Sequence, residues 1–127
     1  MKTVLLDTHA WAWSLGDDPR LSKNAADCLT TATAVLLSPI SLFEIRQKVR
    51  LGKWPDMAPF TERLVDILAE QGGRLAPLDG PICSAAGGMA WAHRDPFDRL
   101  ILATALHIGV PLVSADVVFD GQVTRVW

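Results

Sequence analysis

The chain has 127 residues, half of them hydrophobic and a fifth charged, with a formal net charge of −2 at neutral pH. That size and balance predict one folded domain over residues 1–127 and exclude a disordered chain. They also exclude a global basic field, so any contact with nucleic acid has to rest on a local patch.

Cys28 and Cys83 stand apart with no CxxC spacing, which reads as two packed thiols in a reduced, intracellular setting. The first apolar run, Thr3 to Leu6, is too short for the core of a signal peptide. No later segment approaches the ~20 apolar residues of a spanning helix. The expectation is a soluble, cytoplasmic protein with no membrane association.

Residues 2–6 read as a buried strand that ends at Asp7. His9 to Leu15 begins a helix, broken by Gly16-Asp17-Asp18-Pro19. Ser22 caps a second helix over Lys23–Thr31, with Ala25, Ala26, Leu29 and Ala32 inward. Residues 34–38 form a second strand that Pro39 ends. Ser41 then caps a helix to about Leu51, and Glu44 falls at capping-box spacing behind it. Gly52-Lys53-Trp54-Pro55 closes this helix, and Pro59 opens another that runs to about Glu70 and stops at Gly72-Gly73.

Residues 74–78 are a third strand, where Pro77 argues for an edge or a strand end. Asp79 caps a helix from Pro81 to about Trp91, weakened by Gly87-Gly88. Asp95 suits an N-cap and Pro96 a first helical turn, so a nearly all-apolar helix runs from Pro96 to His107 and ends at Gly109. Residues 110–114 are a fourth strand followed by Asp116, and residues 123–127 a final edge strand. Strands alternating with helices predict an α/β three-layer sandwich with a central, mainly parallel sheet.

In such a sheet, ligands sit outside the C-terminal strand ends, where helix N-termini also point. Asp7 and Asp116 follow strands directly, and Glu44 and Asp98 sit in the first turns of helices arriving from that edge. Four acids from four distant segments thus fall on one side. Carboxylates that close repel unless a cation joins them, and carboxylate-only ligation suits Mg²⁺ or Mn²⁺. Such ions activate water and stabilise the oxygens of an in-line phosphoryl displacement, so the chemistry pointed to is metal-assisted phosphodiester hydrolysis.

Each residue also has a plainer role. Asp7 and Asp116 could be turn or cap acids, and Glu44 could complete its capping box or pair with Lys48 at i+4. Asp98 could be an ordinary first-turn acid, and Asp95 has a full account as the N-cap. The inference rests on the set. Arg46, Lys48, Arg50 and Lys53 form the densest basic cluster, read either as a solvated helix face or as a grip on an RNA backbone. The five tryptophans could stack on bases or serve core and subunit packing. His9, His93 and His107 show no zinc spacing, and no phosphate loop or nucleophile elbow is present.

Leu5-Leu6-Asp7-Thr8-His9, Ser41-Leu42-Phe43-Glu44-Ile45 with Lys48, His93-Arg94-Asp95-Pro96-Phe97-Asp98-Arg99, and Leu112-Val113-Ser114-Ala115-Asp116 resemble the PIN-domain family, most closely its VapC-type toxins of bacterial toxin–antitoxin pairs. The resemblance spans the chain. It implies a PIN fold and a Mg²⁺- or Mn²⁺-dependent endoribonuclease whose acidic quartet is Asp7, Glu44, Asp98 and Asp116. It also implies supporting roles for Thr8 and for Ser114, which stands where the family more often has Thr. A homodimer and a VapB-like antitoxin partner are implied too. Met89-Ala90-Trp91-Ala92 departs from the family's usual approach to the central helix. The alternative is a PIN-fold metal-binding or regulatory module without significant nuclease activity. An aspartate-nucleophile phosphatase would need a second Asp where His9 stands, and a receiver-like switch would need a phosphorylatable Asp that Ser38 and Ser114 do not supply.

Overall fold

The computed structural model describes residues 2–16 and 18–127. Asp17, part of the break expected after the first helix, lies outside them. The chain runs β1 (Thr3–Leu6), α1 (Thr8–Ser14), α2 (Lys23–Thr31), β2 (Ala34–Leu37), α3 (Pro39–Arg50), a 3₁₀ helix (Pro55–Arg63), α4 (Leu64–Glu70), β3 (Arg74–Leu75), α5 (Gly80–Gly88), α6 (Pro96–Ile108), β4 (Leu112–Val113), a 3₁₀ turn (Val117–Phe119) and β5 (Arg125–Val126). The strands form one five-stranded sheet in the order β3-β2-β1-β4-β5, and every pairing is parallel.

β1 is central because it is apolar on both faces: Val4, Leu5 and Leu6 are all fully or almost fully buried. Val4 and Leu6 join a core with Trp11, Ala25, Ile45 and Leu68, on the side of α1, α2 and α4. Leu5 points the other way, to Ile101, Leu102 and Ala105 of α6. α5 packs behind α6 through Ile82, Ala86 and Ala103. Helices therefore cover both faces, giving three layers. No described helix is long and apolar enough to cross a membrane.

Several ends follow local chemistry as expected. Ser22 accepts from the Ala25 amide, Asp79 from Ile82, and Asp95 from Phe97 and Asp98. Gly109 closes α6 in the left-handed region at φ 69°, where a side chain would be strained. β3 lies at an edge and is shorter than expected, ending at Leu75 ahead of Pro77.

Three expectations are corrected. α3 begins at Pro39, not after Ser41: Ser38 is the cap and accepts from the Ile40 amide at 3.2 Å, with Pro39 in the first turn. Proline after a strand here starts the helix as well as ending the strand. Glu44 therefore lies in the second turn, and the capping box does not form. Pro59 does not open a helix but lies within the 3₁₀ segment Pro55–Arg63, with the α-helix starting only at Leu64. Pro59 has no N–H for the carbonyl of Pro55, so the ladder of an α-helix cannot close there. α5 stops at Gly88, short of Trp91, at the paired glycines.

Candidate active site

Leu6 pairs with Leu37 of β2 and with Val113 of β4, so Asp7, Ser38 and Ser114 come level just past the ends of the three central strands. Asp7 also caps α1, its Oδ1 accepting from the Ala10 amide at 2.8 Å. Its other oxygen accepts from the Ser114 hydroxyl, and the same hydroxyl accepts from the Asp116 amide at 3.0 Å. One buried serine thus fixes Asp7 and Asp116 relative to each other. Thr8 and Ser41 share a hydrogen bond of 2.8 Å between buried hydroxyls, which ties the start of α1 to α3 one turn ahead of Glu44.

The structure brings Asp7, Glu44, Asp98 and Asp116 into the lining of one cleft of about 450 Å³. Asp95 reaches its edge while capping α6. Asp7 is 9% exposed and Glu44 6%; Asp98 is half-buried and Asp116 lies open at the rim. Burial pushes the Asp7 carboxyl up to about 6, with Asp98 and Glu44 adding to the rise and the hydrogen bonds from Ser114 and Ala10 opposing it. Asp98 is raised as well, first by burial and then by Asp95 and Glu44, against the opposing bond to His93. These are carboxylates crowded together without enough positive charge.

Two bases partly answer them. Lys48 Nζ donates to Glu44 Oε2 at 2.5 Å, the i+4 pair foreseen from the sequence. His93 Nε2 lies 2.6 Å from Asp98 Oδ2, a contact that nothing in the residue spacing signals. His9 and Trp13 also line the cleft. Partial desolvation of the His9 imidazole, with Lys48 nearby, holds its pKa below the usual value.

Arg99 was not among the expected site residues. Its guanidinium donates to the carbonyls of Ala86, Met89, Trp91 and His93 at 2.6–2.9 Å. It takes up a carbonyl at the end of α5 and shapes the loop that carries His93 to Asp98. An arginine directly ahead of an apolar run gives no hint of this in the sequence.

Arg46 and Arg50 do not line the acid cleft; they line a neighbouring groove with Phe43 and Thr61. Arg46 donates to the Thr61 carbonyl and lies 3.7 Å from Glu62, both at the surface. Lys53 is exposed in the turn after α3.

Among the described residues, no three His, Cys, Asp or Glu side chains stand arranged to hold an ion as they are placed. Each acid instead gives an oxygen to an internal donor. Glu44 Oε1, Asp98 Oδ1 and Asp116 Oδ2 accept no hydrogen bond from a described residue, so hard oxygen donors remain. An all-carboxylate set in which Asp7 and Asp98 have raised pKa values fits a hard divalent cation, which would relieve the repulsion.

Fold and cleft together define a three-layer α/β domain with acids gathered over the open edge of a parallel sheet. The PIN domain model matches residues 4–121, and the chain belongs to the PIN domain family. Its relative Ribonuclease VapC22 of Mycobacterium tuberculosis (strain ATCC 25618 / H37Rv) is 31% identical over 116 residues, covering 91% of this chain and 88% of that one, which places the chain among the VapC-type members. The crystal structure of FitAcB from Neisseria gonorrhoeae superposes with a TM-score of 0.67 at 24% identity, over 96% of this chain and 95% of that one. VapBC2 from Rickettsia felis, solved bound to a DNA fragment from its promoter, gives 0.68 at 14% identity, over 97% and 96%. At those identities the likeness is one of fold.

Proposed function

We propose that the chain is the endoribonuclease toxin of a toxin–antitoxin pair, hydrolysing RNA phosphodiester bonds with Mg²⁺ or Mn²⁺ held by Asp7, Glu44, Asp98 and Asp116. The observation that carries this is the meeting of four acids from four distant segments in one cleft. A bound divalent ion supplies charge neutralisation and a more acidic water. The protein's own part is to hold the acids in place. Ser114 bridges Asp7 and Asp116, the Thr8–Ser41 bond sets α1 against α3, and the Asp95 cap with Pro96 fixes where α6 presents Asp98. Glu44 and Asp98 would offer an ion the oxygens that Lys48 and His93 leave free, and the two bases, held at the cleft by those pairs, would stand where a substrate's phosphates arrive.

Arg46, Arg50 and Lys53 extend positive charge beyond the cleft along the RNA backbone. A VapB-like antitoxin and a second copy of the chain are the proposed protein partners. Phe43, Leu51, Val65, Leu75, Leu106 and Val117 are large apolar side chains left 45–68% exposed, the kind of surface that partner chains cover.

The test is purified protein incubated with total RNA in Mg²⁺, in Mn²⁺ and in chelator. Metal-dependent cutting that Asp98→Asn abolishes, with the fold intact by circular dichroism, supports the reading. Cutting at the wild-type rate by Asp98→Asn refutes the assignment. Metal binding without any cutting favours the non-catalytic regulatory module.

A further inference from the structure

Beside the acids, the cleft is walled by His9 and Trp13, which the function argued above leaves unused. The His9 ring stacks on Trp54, centroids 4.5 Å apart with 25° between planes. It meets Trp13 at 5.8 Å and 55°, and Trp13 meets Trp127 at 5.7 Å. Four rings from three separated segments therefore form one continuous row. Core packing explains part of it, since Trp54 and Trp127 lie against the main core. It does not explain His9, which stays exposed in the first turn of α1, two residues from Asp7.

Cations flank the row. Lys48 Nζ, paired with Glu44, lies 5.7 Å from the Trp54 ring centroid, and Arg20 Cζ, paired with both oxygens of Asp18, lies 5.0 Å from that of Trp13. Beyond Trp13 the surface continues into a hollow of about 200 Å³ lined by Trp54 and Phe60 together with Arg20 and the acids Asp18 and Asp56. An exposed aromatic face beside an acid cleft is what an unpaired base needs, because every base presents a face that stacks.

We propose that the Trp13–His9–Trp54 row is a nucleobase subsite, where an unpaired base next to the scissile phosphate stacks on the exposed His9 ring. The inference rests on the ribonuclease reading and adds to it a residue-level contact for one base. A base reaches an aromatic face only after leaving a helical stack, so the subsite takes a base that a duplex withholds.

The test is fluorescence anisotropy on the full chain in chelator and low salt, with three labelled 2′-O-methyl oligonucleotides of one length. One is single-stranded, one is the same strand with abasic residues at its centre, and one is duplex. Wild type binds the base-bearing strand about 5–150-fold more tightly than the abasic one, the range expected for one stacked base. His9→Ala loses most of that preference while keeping its circular dichroism spectrum, and His9→Phe restores it. Equal binding of the base-bearing and abasic strands by wild type overturns the subsite. So does a folded His9→Ala protein that keeps the full preference, or duplex bound as tightly as single strand. Metal-dependent, Asp98-dependent RNA cleavage alongside any of these results leaves the ribonuclease reading standing and removes the subsite alone. No binding of any strand together with intact total RNA overturns both.

Discussion

Asp7 makes the fold and the site compete, and Asp7→Asn should reveal it. The carboxyl is almost wholly buried and its pKa is raised from 3.8 to about 6, chiefly by burial. Below pH 3.8 both folded and unfolded chains carry the proton, and this group has no effect. Between 3.8 and about 6 the unfolded chain ionises while the folded one holds its proton, so stability falls as pH rises. Above about 6 the loss is complete, and a shift of this size corresponds to about 3 kcal/mol. Asparagine carries no charge and still accepts from the Ala10 amide as an N-cap. Its amide meets the Ser114 hydroxyl less well than a carboxylate does, at a cost of about 1 kcal/mol. In chelator at pH 7.5, Asp7→Asn should therefore be more stable than wild type by about 1–2 kcal/mol. The advantage should shrink or reverse by pH 4. Urea unfolding of both proteins across pH 4–8 measures the gap directly. A gap that does not change with pH refutes the burial argument, as does an asparagine variant less stable than wild type at pH 7.5. Added Mn²⁺ should stabilise wild type and leave the variant nearly unchanged, because ion binding recovers the cost of the buried charge.

Two further outcomes test individual residues. Asp95→Ala removes an oxygen that accepts from the Phe97 and Asp98 amides, and should lower stability by about 1 kcal/mol in thermal unfolding while calorimetric titration finds Mn²⁺ affinity little changed. Replacing Arg46 and Arg50 together by alanine should flatten the salt dependence of single-stranded RNA binding by roughly 0.7 for each lost phosphate contact, and an unchanged slope assigns both to a solvated face.

Local chemistry made much of the fold legible. The Ser22, Asp79 and Asp95 caps, Pro96 and the terminal Gly109 are rules acting over three or four residues, and the structure places those helix boundaries close to where they were read. The parallel sheet followed from strand and helix alternation. Misreadings arose where two local rules competed for the same residue. Pro39 both ends a strand and begins a helix, and Ser38 and Ser41 are both good caps, so choosing Ser41 invented a capping box for Glu44. Pro55 and Pro59 are each good helix starters, yet four residues apart they block the α ladder. The acids share a cleft because strand order alone carries segments to one edge, and that can be read from alternation. The Arg99 fan, the His93–Asp98 contact and the Thr8–Ser41 pair could not be read, because each depends on side-chain directions that no spacing encodes.

The central place of β1 has a consequence for the order in which the site is built. Asp7 is the first acid in the chain, but its strand lies between β2 and β4, and its partner Ser114 lies 107 residues away. His93 and Asp98, five residues apart, can meet as soon as α6 forms. Asp7 and Glu44 can meet once β1 pairs with β2, but Asp116 waits for β4 to insert beside β1. During synthesis the emerging chain thus carries a nearly finished N-terminal half with no working cleft until residues beyond Asp116 have emerged. If the cleft cuts RNA, the ribosome is spared by a nascent chain that cannot yet assemble its own site.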